Sequence, residues 1–174
     1  GLKKPLAMAS DTEALLLSLA GESSTVHQQG ERRDVSLLHE ARYSRPYIAH
    51  ASIGPSCALA QWTHGQMKVW SHTQGVFPLR ADLAKAFDLS LDAVQVIHLH
   101  GSGCYGHNGA DDVAFDAAFV SFKLGVPIRM QWSREDEMTA SPLGAPSLVN
   151  IRAGVDSVGR ICDWNLSLWS HSHL

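Results

Sequence analysis

Val94-Gln95-Val96-Ile97-His98-Leu99-His100-Gly101-Ser102-Gly103-Cys104-Tyr105-Gly106-His107-Asn108-Gly109-Ala110-Asp111-Asp112-Val113 is the stretch from which the fold is read. Its β-branched opening predicts a strand over 93–100. Beyond Asp112, the residues Val113, Ala114, Ala117, Ala118, Ser121 and Leu124 share one face of a 3.6-residue period, which predicts a helix over 110–124. Between them lie four glycines in nine residues. Glycine tolerates φ > 0 and carries no Cβ, so such a loop can turn sharply and bring backbone within contact distance of a large ligand. Strand, glycine loop and helix together can aim peptide N–H groups at an anionic or metal-bound group. No Gly-Lys-Ser/Thr follows. Asp111 and Asp112 favour the first helical turn through its dipole but repel a bare phosphate placed there. The loop is built to lie against a cofactor without clamping a phosphate.

The chain around this loop has the composition of a globular segment. Its 174 residues are 45% hydrophobic and 18% charged, enough for one core or one domain with a small appendage. A net charge of −3, with no basic stripe interleaved with aromatics, speaks against nucleic acid and membrane surfaces as partners. No apolar run approaches the roughly 18 residues of a membrane span, and Gly1-Leu2-Lys3-Lys4-Pro5 lacks the apolar core of a signal peptide. Three widely spaced cysteines, Cys57, Cys104 and Cys162, are no disulfide framework and fit a reducing compartment, so a cytoplasmic location is expected, with the periplasm left open. A leading glycine and an ending at Trp169–Leu174 without a terminal helix read as an excised piece of a longer chain.

The remaining segments suggest a mixed sheet with flanking helices, an α/β (mixed α+β) fold. Ser10-Asp11-Thr12-Glu13 predicts a capping box opening a helix through Ala20, and residues 22–34 read as a polar linker. The expected division is therefore 1–34, helix and linker, and 35–174, a partial domain. Val35–His50 predicts a strand broken at Arg45-Pro46. Ala58–Thr63 and Gln66–Ser71 predict a hairpin turning at His64-Gly65. Pro78–Phe87 predicts a helix with Leu79, Leu83, Ala86 and Phe87 inward. Val126–Trp132 predicts a strand, Ser133-Arg134-Glu135-Asp136 a short helix, and Pro142–Pro146 irregular chain. Val149–Val155 and Ile161–Leu168 predict an antiparallel pair, with Cys162, Trp164, Leu166 and Leu168 on one face.

Several residues could carry chemistry. Cys104, ahead of a helix N-terminus, could act as a nucleophile with His107 as base and Asn108 as orienting amide; the plain alternative is a small packed residue beside a turn. His98, His100, Cys104 and His107 have a spacing that could ligate zinc, against two strand-end histidines bonded to backbone. Gln74, in His72-Thr73-Gln74-Gly75, both donates and accepts hydrogen bonds, which suits an oxo or carbonyl ligand, although in most proteins such a residue only shapes a turn. Arg80, Arg129, Arg134 and Arg152 read as surface or inter-element ion pairs, and Tyr105 as packing.

Taken in order, four blocks resemble the large subunit of the molybdenum hydroxylases, the xanthine dehydrogenase and aldehyde oxidase family, and within it the nicotinate- and isoquinoline-type members. They are Tyr47-Ile48-Ala49-His50-Ala51-Ser52-Ile53-Gly54-Pro55-Ser56-Cys57-Ala58-Leu59-Ala60; Val69-Trp70-Ser71-His72-Thr73-Gln74-Gly75 with Arg80 and Ala84; Gly101–Asp112, in the place of the family's G-G-G-F-G-G-K loop; and Gly125-Val126-Pro127-Ile128-Arg129 leading to Trp132-Ser133-Arg134-Glu135-Asp136-Glu137. The resemblance runs from about Tyr43 to the end.

The resemblance implies a partial first molybdopterin-binding domain. Its cofactor is molybdopterin with molybdenum, in the cytosine dinucleotide form, and its reaction is hydroxylation of an N-heterocycle or an aldehyde with water as oxygen source. It places Gln74 on an oxo ligand of molybdenum and Gly103, Cys104, Tyr105 and Gly106 as the cofactor-binding backbone loop. It also implies iron–sulfur, flavin or cytochrome electron-transfer partners and the remainder of the large subunit. The sequence departs from the family in three places: Gly54 where many relatives have glutamate, Cys104-Tyr105 where glycine-phenylalanine is usual, and Asn108 for lysine. The family's catalytic glutamate falls in a later segment, so none of these residues is assigned catalysis or direct metal ligation. The isolated segment is expected to be inactive, to lack the cofactor, and to self-associate through cofactor-facing surface. Two other readings stand beside this one: a self-contained Cys104/His107 enzyme, and a non-catalytic interaction domain.

Overall fold

A computed structural model describes residues 11–19, 21–31 and 35–171. The chain forms two compact units: one takes it up to Ile48 and again from Ala145, and the other is Ala49–Gly144.

The first unit is a three-stranded antiparallel sheet, β1 (Leu37–Arg45), β8 (Ser147–Val155) and β9 (Ile161–Ser170), with β8 central. Asp156 shapes the turn into β9, accepting from the backbone N–H groups of Val158 and Arg160. Register puts Tyr43, Val149 and Leu168 in one row, Ala41, Ile151 and Leu166 in the next, and His39, Ala153 and Trp164 in a third. A β-bulge near Gly154/Val155 then pairs Leu37, Val155 and Ile161. Side chains alternate across a strand, so these rows share one face. The opposite face carries Glu40, Arg42, Arg152 and Asp163, and the Arg42 guanidinium pairs with Glu13 of α1 (Thr12–Ser18). The N-cap of α1 is Asp11, which accepts from Ala14 N at 3.0 Å. Ser10 and Ala20, at the expected ends of this helix, lie outside the described residues, as do 32–34 of the expected linker. Residues 21–29 have no regular structure and are exposed, as their polarity predicts.

The second unit holds the four-stranded sheet β5-β4-β3-β6. It comprises β3 (Cys57–Thr63), β4 (Gln66–Ser71), β5 (Val94–His98) and β6 (Ile128–Gln131); β4 and β5 run parallel, the other neighbours antiparallel. The β3–β4 hairpin turns at His64 (φ 47°) and Gly65 (φ 79°), two positive values that match the right-handed twist of the strands. Two helices cover the sheet, α2 (Val76–Ala86) and α3 (Ala110–Leu124). Ala58, Ala60, Met67, Val69, Leu83, Val113, Ala114 and Ala117 build the core between them. The run of alanines on α3 lets helix and sheet approach closely, and Gly125 closes the helix in the left-handed conformation. β2 (Ile48–Ala49) and β7 (Leu143–Gly144) are two-residue strands where the chain passes between units, and α4 (Arg134–Ala140) follows β6.

The expected mixed α/β architecture is what the chain forms, with corrections in detail. α2 starts at Val76, two residues before the expected Pro78; proline is harmless in a first turn, whose N–H groups have no intrahelical acceptor. Ala84 is buried with Leu79 and Leu83, and Ala86, expected inward, is exposed. Leu124, expected on the buried face of α3, is 65% exposed because the helix ends there. Part of the expected irregular 142–146 stretch is β7. α4 carries the predicted cap, a full capping box between Ser133 and Asp136.

Candidate cofactor site

β4 and β5 are parallel neighbours, so the segments that leave them, 72–75 and 99–109, emerge from one sheet edge. The antiparallel β3 begins at that edge and β6 ends there, which adds 50–56 and 132–137. Carboxyl ends of parallel strands are where open α/β sheets bind ligands, because loops diverge there and leave backbone groups free. All four segments belong to the second unit.

The loop 101–109 bends three times through positive φ: Gly103 (93°), Tyr105 (56°) and Gly106 (132°). For tyrosine this conformation is strained, at a cost of order 1–3 kcal/mol, and surrounding bonds must hold it. The glycines fit against their supports with no room for a side chain. A Cβ on Gly101 would meet the His72 ring 2.5 Å away, one on Gly109 the Trp132 ring 2.5 Å away, and one on Gly106 would overlap the His50 imidazole. Glycine is therefore required for close packing inward, while Gly103, Tyr105, Gly106 and His107 present their other side to solvent.

Asn108 is the hub of that support, at 1% exposure. Its Nδ2 donates to Ser52 Oγ at 2.9 Å and to Gly103 O at 3.2 Å, while its Oδ1 accepts from Ala110 N at 3.2 Å and from the Cys104 thiol at 3.5 Å. One amide thus fastens the loop, the start of α3 and the 50–56 segment together. His50 braces the far side: Nε2 accepts from His107 N at 3.2 Å and Nδ1 lies 3.1 Å from Pro142 O. These two bonds require the neutral tautomer protonated on Nδ1. The segment carrying His50 and Ser52 is itself clamped, with Arg134 donating to Ser52 O and Ile53 O at 2.9 Å each, and Ser56 N donating to the buried Glu137 at 2.5 Å.

The expected site residues fall as follows. Gln74 is exposed in the bend after β4, two residues from His72. Gly103, Cys104, Tyr105 and Gly106 form the outer arm of the neighbouring loop, and His72 packs on Gly101 between the two segments. Cys104 directs its thiol at Gly106 O and Asn108 Oδ1. Asn108, read as the orienting amide of a Cys–His pair, orients the loop instead. His98 bonds Thr73 O at 3.0 Å through Nδ1 and stands edge-on to His100. Among the described residues no group of three or more His, Cys, Asp or Glu side chains converges as a metal site.

Arg134, read as an ion-pair partner, clamps backbone instead; Arg80 donates to Leu91 O and Val94 O and also forms its expected ion pair, 3.6 Å from Asp92 Oδ1. Arg152 does approach Glu40 and Asp163 at 3.7 and 3.8 Å. Sequence reasoning missed Ser52, His50 and Glu137 as supports. Ser52 and His50 sit in the quoted 47–60 block, but nothing local marks pairing across more than fifty residues.

The electrostatics are those of a neutral, slightly acidic edge. Partial burial pushes the Asp112 carboxyl above its ordinary value, against the pull of backbone hydrogen bonding and of His107. Burial likewise lowers the His72 imidazole, outweighing Glu137 and Asp111, which favour its charged form. Gly101, Gly103 and Gly106 do stand at the G-x-G-x-x-G spacing. Yet α3 opens only at Ala110 and carries Asp111 and Asp112 in its first turn, so a pyrophosphate at its N-terminus would face two carboxylates.

A strained glycine loop without lysine or arginine thus stands at the carboxyl edge of a mixed sheet, the place where open α/β sheets take ligands. The chain belongs to the molybdopterin cofactor-binding domain family, whose model matches residues 23–172. It is 43% identical over 123 residues to a nicotinate dehydrogenase subunit from Pseudomonas putida, covering 71% of this chain and 10% of that one. It is 24% identical over 167 residues to the aldehyde oxidoreductase molybdenum-binding subunit PaoC of Escherichia coli K12, covering 88% of this chain and 23% of that one. Among solved structures, quinoline 2-oxidoreductase from Pseudomonas putida 86 shares the fold with a TM-score of 0.69 at 16% identity, over 77% of this chain and 17% of that one. The chain thus spans a tenth to about a quarter of the curated relatives it matches.

Proposed function

We propose that residues 35–174 serve as part of the molybdopterin-binding surface of a molybdenum hydroxylase that oxidises an N-heterocycle or an aldehyde, with 1–34 as a helix and linker. The observation that carries this reading is the loop itself: three positive-φ residues in Gly103–Gly106, fixed from behind by a buried amide, with the backbone turned outward and no cation beside it. This fits a flat heterocycle approached by peptide groups, as the missing Cβ atoms allow. Gly103, Cys104, Tyr105 and Gly106 would hold the cofactor by backbone contact, and Gln74 would offer its neutral amide from the adjacent bend. When bound, molybdopterin supplies a molybdenum centre that takes up the electrons released by hydroxylation, with water providing the oxygen. The cytosine dinucleotide form is the one we assign.

In this reading the chain's own residues position and shield. Asn108 and His50 keep the loop in shape, and the neutral His72 avoids placing a second charge at the edge. The general base, the metal ligands and the iron–sulfur, flavin or cytochrome partners come from other segments of the large subunit and from other subunits. The chain alone is therefore inactive. Among the described residues no helix is long and apolar enough to cross a membrane. The three widely spaced cysteines support a cytoplasmic location, with the periplasm as the alternative.

The test is molybdenum content and dye-coupled oxidation of nicotinate, quinoline and aldehydes, measured on the enzyme that carries this domain and on the 174-residue chain. Loss of bound molybdenum on Gly106→Val in the enzyme, with none bound by the chain alone, is the expected result. Turnover and stoichiometric molybdenum in the chain alone would overturn it.

A further inference from the structure

The side chain of Tyr105 is not accounted for by the folding of the loop that carries it. Its φ of 56° lies in the left-handed region, which glycine or asparagine takes at less cost. The residue is 66% exposed, so burial does not offset that strain. Its hydroxyl has no hydrogen-bond partner among the described residues. The ring is nevertheless held in place. It lies along the bare α-carbon of Gly103, where a Cβ would meet its Cε2, Cζ and hydroxyl oxygen at 2.9, 3.0 and 3.1 Å. Gly103, at φ 93°, therefore makes room for the ring as well as for the turn. Asn108 Nδ2 anchors Gly103 from behind, donating to its carbonyl at 3.2 Å, and His50 Nε2 anchors the next turn by accepting from His107 N. Strain maintained by surrounding bonds, with an open side chain at its centre, is the pattern of a residue placed for a ligand.

What the side chain can recognise follows from its chemistry. A phenol offers a flat apolar face and, at its rim, one hydroxyl that donates. No lysine or arginine occurs in residues 99–113, and Asp111 and Asp112 follow in the first turn of α3. These surroundings favour a neutral acceptor over an anionic one. Of the two substrate classes proposed above, an N-heteroaromatic ring answers both features, with a face for the tyrosine ring and an in-plane nitrogen for the hydroxyl. An aliphatic aldehyde answers only the second.

We propose that Tyr105 is a specificity-determining residue that selects N-heteroaromatic substrates, its ring packing against theirs and its hydroxyl donating to the ring nitrogen. This rests on the reading of the loop as part of a molybdopterin site: the backbone of Gly103–Gly106 holds the cofactor, and the Tyr105 side chain meets the substrate.

The test uses the molybdenum-loaded enzyme that carries this domain, with Tyr105→Phe and Tyr105→Gly. Steady-state kcat and KM are measured for quinoline, nicotinate and butanal, together with molybdenum content and melting temperature. Tyr105→Phe keeps the ring and removes the hydroxyl. It should lower the ratio of kcat/KM for the better heterocycle to that for butanal about fivefold, the worth of one neutral hydrogen bond. The change should lie in KM. Tyr105→Gly removes the ring as well and should lower the ratio about twentyfold or more. Calorimetric titration of the same heterocycle into dithionite-reduced enzyme, which cannot turn over, should show dissociation constants rising in the same order. An unchanged ratio in both variants, with molybdenum retained, overturns the inference and leaves the cofactor reading intact. An enzyme that oxidises neither heterocycle overturns it as well, and so does loss of molybdenum from either variant, which would assign the side chain to the cofactor. Failure of the cofactor reading has a separate signature, full molybdenum content in Gly106→Val.

Discussion

Asn108 and Ser52, fifty-six residues apart in sequence, meet in a buried hydrogen bond of 2.9 Å that ties the glycine loop to the strand entering the sheet. Removing Asn108 takes a partner from the buried Ser52 Oγ and Ala110 N and from the half-buried Gly103 O. Each orphaned buried group costs about 1–3 kcal/mol. Asn108→Ala should destabilise the chain by about 3 kcal/mol in urea unfolding, and Ser52→Ala by about 1 kcal/mol. Because Cys104 also donates to Asn108, iodoacetamide should alkylate Cys104 faster in Asn108→Ala, whereas Val113→Ala, an equally damaging core change, should not alter that rate. Equal alkylation rates in the two variants would refute Asn108 as the hub of the loop.

Much of the fold was legible because its signals are local. The His64-Gly65 turn, the alanine face of α3 and the Ser133/Asp136 cap each sit within one element, and each formed where the residues put it. The boundaries that moved were those decided by tertiary packing, such as the start of α2 ahead of Pro78. In the site, the loop's glycines announced close backbone approach, and the structure supplies the surface they approach from within. Its scaffolding was not legible. Asn108 was read for chemistry because a buried amide and a catalytic one look alike in sequence, and Arg134 for an ion pair because nothing local shows that its acceptors are carbonyls.

The loop's glycines differ in what they must tolerate. Gly106 has φ 132° and no space for a Cβ beside His50, whereas Gly125 has φ 68° with nothing within 4 Å. Gly125→Ala should therefore cost only the left-handed penalty of about 1 kcal/mol. Gly106→Ala adds a clash with His50 and should cost about 3 kcal/mol or displace the loop. Differential scanning calorimetry of the two variants checks the order, and similar melting temperatures would count against the packed loop described here.

His72 gives the chain a pH dependence of defined sign. Burial lowers its imidazole below the ordinary 6.5, so the unfolded chain binds this proton more readily than the folded one. The neutral ring's contribution is complete above the unfolded value and is lost as pH falls through the lowered folded value. Stability should thus decline below about pH 6.5, and His72→Gln should flatten that part of the curve. Urea midpoints measured across that range for both proteins decide it; parallel curves would mean that His72 is not the titrating group.

Tyr105 separates stability from function. Its φ of 56° is one that β-carbon sterics disfavour, and its side chain is 66% exposed, so little packing compensates. Tyr105→Gly relieves that conformation and should leave the chain within about 1 kcal/mol of the parent, because glycine's extra freedom in the unfolded state offsets the relief. Tyr105→Asn keeps a side chain that tolerates the left-handed region and should be stabilising by a few tenths of a kcal/mol. In the enzyme that carries this domain, both changes should leave retained molybdenum unchanged, since the loop is proposed to hold the cofactor through its backbone. Loss of metal in either variant at an unchanged melting temperature would show instead that the tyrosine side chain takes part in holding the cofactor.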